Sequence, residues 1–201
     1  MEVVRLRRDQ MGAASDLLAR SFHDDPAWVW LIPDADRRRS LLPWLFRVGF
    51  EVTAADVYGA VEPVTAPDPI GVARWLPPGR PAMHVGATLK ALVTTPFRLG
   101  ATTGSFLAYG KAVEELRSKV APGAHWYLAG IGVDPGSQRQ GVGAALLQPG
   151  IAGAEAARLP TVLLTNNEAN LSFYSGHGFS VVREGRTPTD GPMAWAMVRS
   201  P

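Results

Sequence analysis

Val133-Asp134-Pro135-Gly136-Ser137-Gln138-Arg139-Gln140-Gly141-Val142-Gly143-Ala144 is the stretch on which the reading of this chain turns. Before it runs an apolar segment, Trp126 to Val133, of the kind expected of a strand buried on both faces. Asp134-Pro135-Gly136 stops that strand, because Pro has no N–H to donate and Gly accepts turn dihedrals. After it, Gly141 to Arg158 is rich in Ala and Leu and reads as a helix. The first N–H groups of a helix lack intrahelical acceptors and sit at the positive end of its dipole, so a helix start binds phosphate. Glycines there let phosphate oxygens reach the backbone without meeting a Cβ. Each charge-assisted N–H bond contributes roughly 1.5–3 kcal/mol, enough for three or four amides to hold a diphosphate.

Rival phosphate loops fit worse. A dinucleotide fingerprint needs Gly three residues after Gly143, where the chain has Leu146. Gly110-Lys111 lacks the earlier P-loop Gly, which is Ser105, and has Ala112 in place of the hydroxyl residue. What remains is Q-x-x-G-x-G following a strand.

Outward from the loop, the periodicity predicts a mixed α/β sheet in one domain spanning 1–201. Strands are expected at Val3 to Arg7, Val57 to Val61, Ile70 to Trp75 and Thr161 to Thr165, with a closing hairpin from Phe179 to Val182 and Ala194 to Val198. A Pro-rich turn joins the second and third strands at Pro63 to Pro69. Helices are expected from Asp9 to Phe22, from Arg37 to Val52 after an Asp36 cap, over 81–120 with a break at Pro96, and from Glu168 to Tyr174. His23-Asp24-Asp25-Pro26 marks a break, and Pro149 should bend its helix.

Composition removes several function classes. The 201 residues carry a formal charge of only +2, too little to argue for nucleic acid. No cysteine is present, which excludes disulfides, thiolate metal sites and a Cys nucleophile. No apolar run approaches a membrane span, and the N-terminus has no apolar signal core. A cytoplasmic monomer or homodimer is the expectation.

The Q-x-x-G-x-G loop after its strand resembles the pyrophosphate loop of the GNAT superfamily of N-acetyltransferases. The resemblance extends to Asn170-Leu171-Ser172-Phe173-Tyr174, an Asn followed four residues on by a Tyr, and to the turn Gly176-His177-Gly178-Phe179. It covers about residues 125–198, leaving 1–120 as the acceptor-site half. Within the superfamily this half is similar to puromycin N-acetyltransferase and its relatives, through Trp126-Tyr127-Leu128, Leu147-Gln148-Pro149-Gly150 and Trp195-x-Met197. One position departs: Leu164 stands where such relatives tend to carry a Glu, so no role resting on that carboxylate carries over.

The resemblance implies a mostly antiparallel sheet with a splayed central strand pair, flanked by helices, and acetyl-CoA as cosubstrate. It places Ile131, Gly132 and Val133 beside the pantetheine arm, and Gln138, Arg139, Gln140, Gly141, Val142, Gly143 and Ala144 around the phosphates. Asn170 becomes a cofactor contact and Tyr174 the proton donor to the departing thiolate. The acceptor is expected to be a primary amine of a small molecule, such as an antibiotic or amino metabolite. A peptide amine acceptor, a non-catalytic acyl-CoA sensor and an unrelated nucleotide binder are the alternatives. No strong base is apparent; Asp24, Asp25, Glu51 and His125 are the candidates, and no metal site is expected. Trp28, Trp30 and Trp44 read as core or as lining of an aromatic acceptor site.

Overall fold

Alternation along the apolar runs buries one set of side chains under each layer of helices, and the chain condenses around a single sheet. The computed structural model describes residues 1–53, 55–62, 66–79 and 93–201, without the side chains of 66 and 67. Its strands are β1 (Glu2–Arg5), β2 (Asp56–Glu62), β3 (Ala66–Leu76), β4 (Trp126–Val133), β5 (Thr161–Thr165), β6 (Ser180–Arg186) and β7 (Met193–Arg199). They pair in the order β1-β2-β3-β4-β5-β7-β6. Every pairing is antiparallel except β4 with β5.

The helices are α1 (Met11–Ser21), α2 (Pro26–Leu31), α3 (Ala35–Val52), α4 (described over 93–99), α5 (Thr103–Val120), α6 (Val142–Ala157) and α7 (Leu171–Ser175). Leu17, Leu18 and Leu42 of α1 and α3 pack with Val72 on one side of the sheet. Leu146, Leu147 and Ile151 of α6 pack with Trp75, Leu128, Leu163 and Met197 on the other. Pro149 lies inside α6, next to Gly150, which sits against the Trp75 ring, and the Trp75 indole N–H donates to the Leu146 carbonyl at 3.3 Å. That contact is a structural account of the Pro149-Gly150 pair: the helix backbone comes so close to the indole that a Cβ at Gly150 would lie 2.2 Å from it.

Several boundaries differ from the sequence expectation. Asp34, not Asp36, caps α3, accepting from Arg37 N at 2.7 Å. Asp25 caps a short helix, α2, that the sequence break at His23 to Pro26 concealed. The break in the helical stretch falls at Gly100 with φ 55°, while Pro96 stays inside α4. Parts of two expected features, 63–65 of the Pro-rich turn and 81–92 of the helical stretch, lie outside the described residues. Strand β4 is less enclosed than its apolar sequence suggests; only Leu128 and Gly132 are buried. The reason lies in its pairing with β5.

Candidate active site

Trp126, Tyr127 and Leu128 pair with Thr161, Val162 and Leu163, and there the parallel ladder ends. Beyond it, Leu164 and Thr165 stay paired with Ala196 and Trp195 of β7, while β4 stays with β3. Ala129 is an extra residue in β4, because Leu128 lies opposite Trp75 and Gly130 opposite Arg74. Such a bulge bends and twists a strand. The two central strands therefore separate, and alternate backbone groups of 129–133 face a gap without a ladder partner.

A cavity of about 220 Å³ opens at this gap. Its floor is Leu128 to Ile131 of β4 and Leu163 to Asn166 at the end of β5. Asn170 and Tyr174 close one end. Its other walls come from α1 (Leu18), α2 (Trp28), α3 (Phe46) and α5 (Tyr109, Val113). The Trp28 ring lies tilted against Phe46 at 5.5 Å and against Phe106 at 6.3 Å, so aromatic rings brace the helical wall. Tyr109 donates to Asn166 Oδ1 at 2.6 Å, tying α5 to the end of β5, and Asn166 in turn donates to the Met193 carbonyl at 2.7 Å. Trp30 and Trp44 do not line the cavity; they pack against Tyr109 and under Arg98.

At the far end of β4 the loop runs into α6. Asp134 holds the turn by accepting from Gly136 N at 3.2 Å and pairing with Arg20 at 2.7 Å. Arg20 holds its carboxyl below the usual range. Gln138 and Gln140 spend their amides within the loop, donating to the carbonyls of Val133 at 3.3 Å and Gly136 at 3.1 Å. They shape the loop. Arg139 is exposed with φ 61°, and Gly141, the residue ahead of α6, has φ 81°. The first helical bond is Ala145 N to Gly141 O at 3.0 Å, so the N–H groups of Val142, Gly143 and Ala144 precede it without an intrahelical acceptor. A Cβ at Gly141 would meet no heavy atom within 4 Å, whereas one at Gly143 would touch Phe173 at 3.2 Å. Open space at one glycine and unclaimed amides at the helix start fit a diphosphate.

The structure thus brings Ile131, Asn170 and Tyr174 to the cavity, and Gly132 and Val133 carry the strand from it to the loop. Tyr174 is buried, packed on Phe173 and Phe179, and burial raises its hydroxyl well above the usual value. It is therefore fully protonated at neutral pH. Of the four candidate bases only Asp25 lines the cavity. Its carboxyl accepts from Ala27 N at 3.0 Å, and desolvation raises its pKa above the ordinary Asp value. Asp24 is exposed beside His23 and Arg38, and Glu51 is exposed on α3. Both His125 nitrogens are engaged elsewhere, with the Gly123 carbonyl at 2.7 Å and Arg117 at 2.8 Å. Arg74, which no sequence motif marked, also lines the cavity. Its only sequence signal is register: two residues after buried Val72 in β3, it lies on the same face and so points inward.

Comparison with known proteins follows this geometry. Residues 92–179 match the family model of the acetyltransferase (GNAT) family. The structure is similar to that of histone acetyltransferase HPA2 and related acetyltransferase from Corynebacterium glutamicum, with TM-score 0.68, 22% identity, and 99% of this chain and 95% of that chain covered. An agmatine N-acetyltransferase in its apo form aligns with TM-score 0.63 at 12% identity over 100% and 99% of the two chains. The ribosomal-protein-S18-alanine N-acetyltransferase of Escherichia coli aligns with TM-score 0.53 at 17% identity over 99% and 92%. At these identities the likeness shows the fold: a seven-stranded, mostly antiparallel sheet with one parallel pair, flanked by helices. Among the described residues no helix is long and apolar enough to cross a membrane, and no cluster of side chains is arranged to hold a metal.

Proposed function

We propose that this chain is an N-acetyltransferase of the GNAT type that moves the acetyl group of acetyl-CoA to the primary amine of a small molecule. The observation that carries this reading is the gap between β4 and β5, which leads from the cavity to the unclaimed amides of α6. An amide-bearing arm can pair with the free edge of β4 while its phosphates meet Val142, Gly143 and Ala144. Asn170 stands at the end of the cavity, where it can hold the arm, and Arg139 is exposed beside the phosphates. The similarity of residues 125–198 to puromycin N-acetyltransferase adds an antibiotic to the acceptors worth testing.

Acetyl-CoA, when bound, supplies an activated thioester acyl group. The protein's own residues handle the protons. An amine arrives as an ammonium and must lose a proton before its lone pair can attack. Asp25, held close to the cavity by its cap to Ala27, accepts that proton. Its raised pKa brings it closer to neutral and makes it a better acceptor than an ordinary carboxylate. As the carbon–sulfur bond breaks, Tyr174 gives its proton to the departing thiolate and regains one from the newly acylated nitrogen. The sum is one amide, one thiol and one proton delivered to water through Asp25. The aromatic walls exclude water, which would otherwise compete with the amine.

The α5 helix roofs the cavity through Tyr109 and Val113, and a roofed cavity suits a compact ligand better than an extended peptide. The test is acetyl-CoA at saturation against an amino-acid amide, an aminoacyl nucleoside and Lys-containing peptides, with free thiol as readout. Higher kcat/KM for the peptides would refute the small-molecule assignment. Tight acetyl-CoA binding with no turnover on any amine would favour the sensor, and tight binding of ATP instead would remove the superfamily reading.

A further inference from the structure

Among the described residues, Arg74 has no counter-ion. It is only 9% exposed, and it lines the cavity. Nη2 donates to the Gly49 carbonyl at 3.1 Å and to Thr53 Oγ1 at 2.5 Å, which fixes the group against the end of α3. The Phe50 ring lies 5.1 Å away. Nε is buried with no acceptor, and no carboxylate among the described residues forms an ion pair with it. A buried charge is ordinarily paired, because nothing else replaces the water it has lost. Desolvation lowers the Arg74 pKa to about 10, which leaves the group charged at neutral pH.

The second lone charge in the cavity is Asp25, and among the described lining residues these two are the only charged ones. They share one cavity and have not paired with each other. Arg74 also stands apart from the phosphate loop. It lies opposite Gly130, whereas the loop leaves β4 at Val133, opposite Gly71, about 10 Å further along the strand. The cosubstrate's phosphates are therefore not its partner. It shares the cavity wall with Tyr127, Trp28 and Phe46.

We infer that the acceptor carries a carboxylate as well as its primary amine, with Arg74 receiving the carboxylate and Asp25 the ammonium. The ligand is then a compact amino acid, its apolar part against the aromatic walls of the cavity. Tyr127, whose hydroxyl burial pushes up to about 12, offers a neutral donor beside Arg74. This inference rests on the acetyl-transfer reading above and narrows its acceptor class.

The experiment uses matched amines that differ only by the carboxylate: L-phenylalanine with 2-phenylethylamine, L-leucine with 3-methylbutylamine, and 4-aminobutyrate with propylamine. With acetyl-CoA saturating, thiol release gives kcat/KM for each. In at least one pair the carboxylated amine is expected to win by about tenfold or more, since a site built around a buried charge rejects a ligand that leaves it unpaired. Arg74→Gln should reduce that ratio to below about threefold, mostly through KM, and Arg74→Lys should restore part of it. Thermal unfolding and calorimetric acetyl-CoA affinity establish that each variant is folded. Should Arg74→Gln not fold, 3-phenylpropanoate replaces it as probe: in the native protein it must inhibit competitively against the amine. Equal or better turnover of the amines lacking a carboxylate, or non-competitive inhibition, overturns the inference and leaves acetyl transfer standing. Absence of turnover with every amine tested, these pairs and the amides and peptides above, refutes both.

Discussion

Gly141→Asp probes the phosphate loop where the protein itself leaves room. Gly141 has φ 81° and ψ −2°, and a Cβ there meets no heavy atom within 4 Å. The left-handed backbone costs an ordinary L residue roughly 1–2 kcal/mol, and Asn or Asp somewhat less. Against a typical stability of about 5–15 kcal/mol the variant stays folded. The added carboxylate faces the position proposed for the diphosphate. At about 5 Å the repulsion from one phosphate charge is 332/(ε·r), or about 3 kcal/mol at an effective dielectric near 20 and about 1 kcal/mol at that of water. Acetyl-CoA affinity should therefore fall by about 5- to 150-fold from charge alone. Gly141→Asn shares the Cβ, the bulk and the backbone strain but not the charge, so the ratio of the two variants isolates the electrostatic part. Calorimetric titration of both with acetyl-CoA, beside thermal unfolding, makes the measurement. Affinities that agree within about twofold would mean that no anion sits against this helix start, and the loop assignment would be refuted.

Tyr174→Phe should lower turnover by about 10²-fold with little change in acetyl-CoA affinity, the size of a lost general acid; full activity would make Tyr174 structural. Asp25→Asn keeps a capping side chain on α2 and should lose about 10²-fold or more in kcat/KM, together with the acid limb of the pH profile. In the native enzyme that limb should lie above the ordinary Asp value, because burial raises the carboxyl. A raised folded-state pKa means that stability falls as pH rises from the unfolded value to the folded one. Asp25→Asn should therefore raise the unfolding temperature relative to wild type at neutral pH and lose that advantage below the window. Gly150→Ala should destabilise by about 1–3 kcal/mol in chemical denaturation, since its Cβ would lie 2.2 Å from the Trp75 ring, although Ala is the better helix former elsewhere.

The strand, loop and helix start proposed to hold the cofactor were legible because their signals are local. Loop, helix start, Asn170 and Tyr174 lie within one run of sequence, and the observed β4 and β5 have the bounds that the apolar runs predict. The helical wall of the cavity is assembled from α1, α2, α3 and α5, with β3, which are far apart in sequence, so no spacing announces the cavity. Asp25 could be nominated only as one of four acids and bases, because its burial depends on the packing of α2. Arg74 carried no motif; its significance comes from an inward register and from the absence of a carboxylate partner among the described residues, and the second of these exists only in three dimensions. Gln138 and Gln140, prominent in the sequence pattern, turned out to brace the loop through backbone carbonyls.

The same physical sign marks both halves of the site. Folding ordinarily satisfies every buried polar group, since each one left unmet costs about 1–3 kcal/mol. Here β5 follows β7 away from β4, and the bulge at Ala129 turns β4 further, so a run of strand backbone forgoes its ladder. A few residues away, one acid and one guanidinium share a cavity without neutralising each other. Neither feature helps the protein fold, and closing the gap or pairing the charges would each stabilise it. Both are deficits that a ligand can satisfy: amides for the open strand edge, an ammonium and a carboxylate for the two charges. The free energy withheld from folding is then available to binding, and it favours ligands that supply those groups over ligands of the same size that do not.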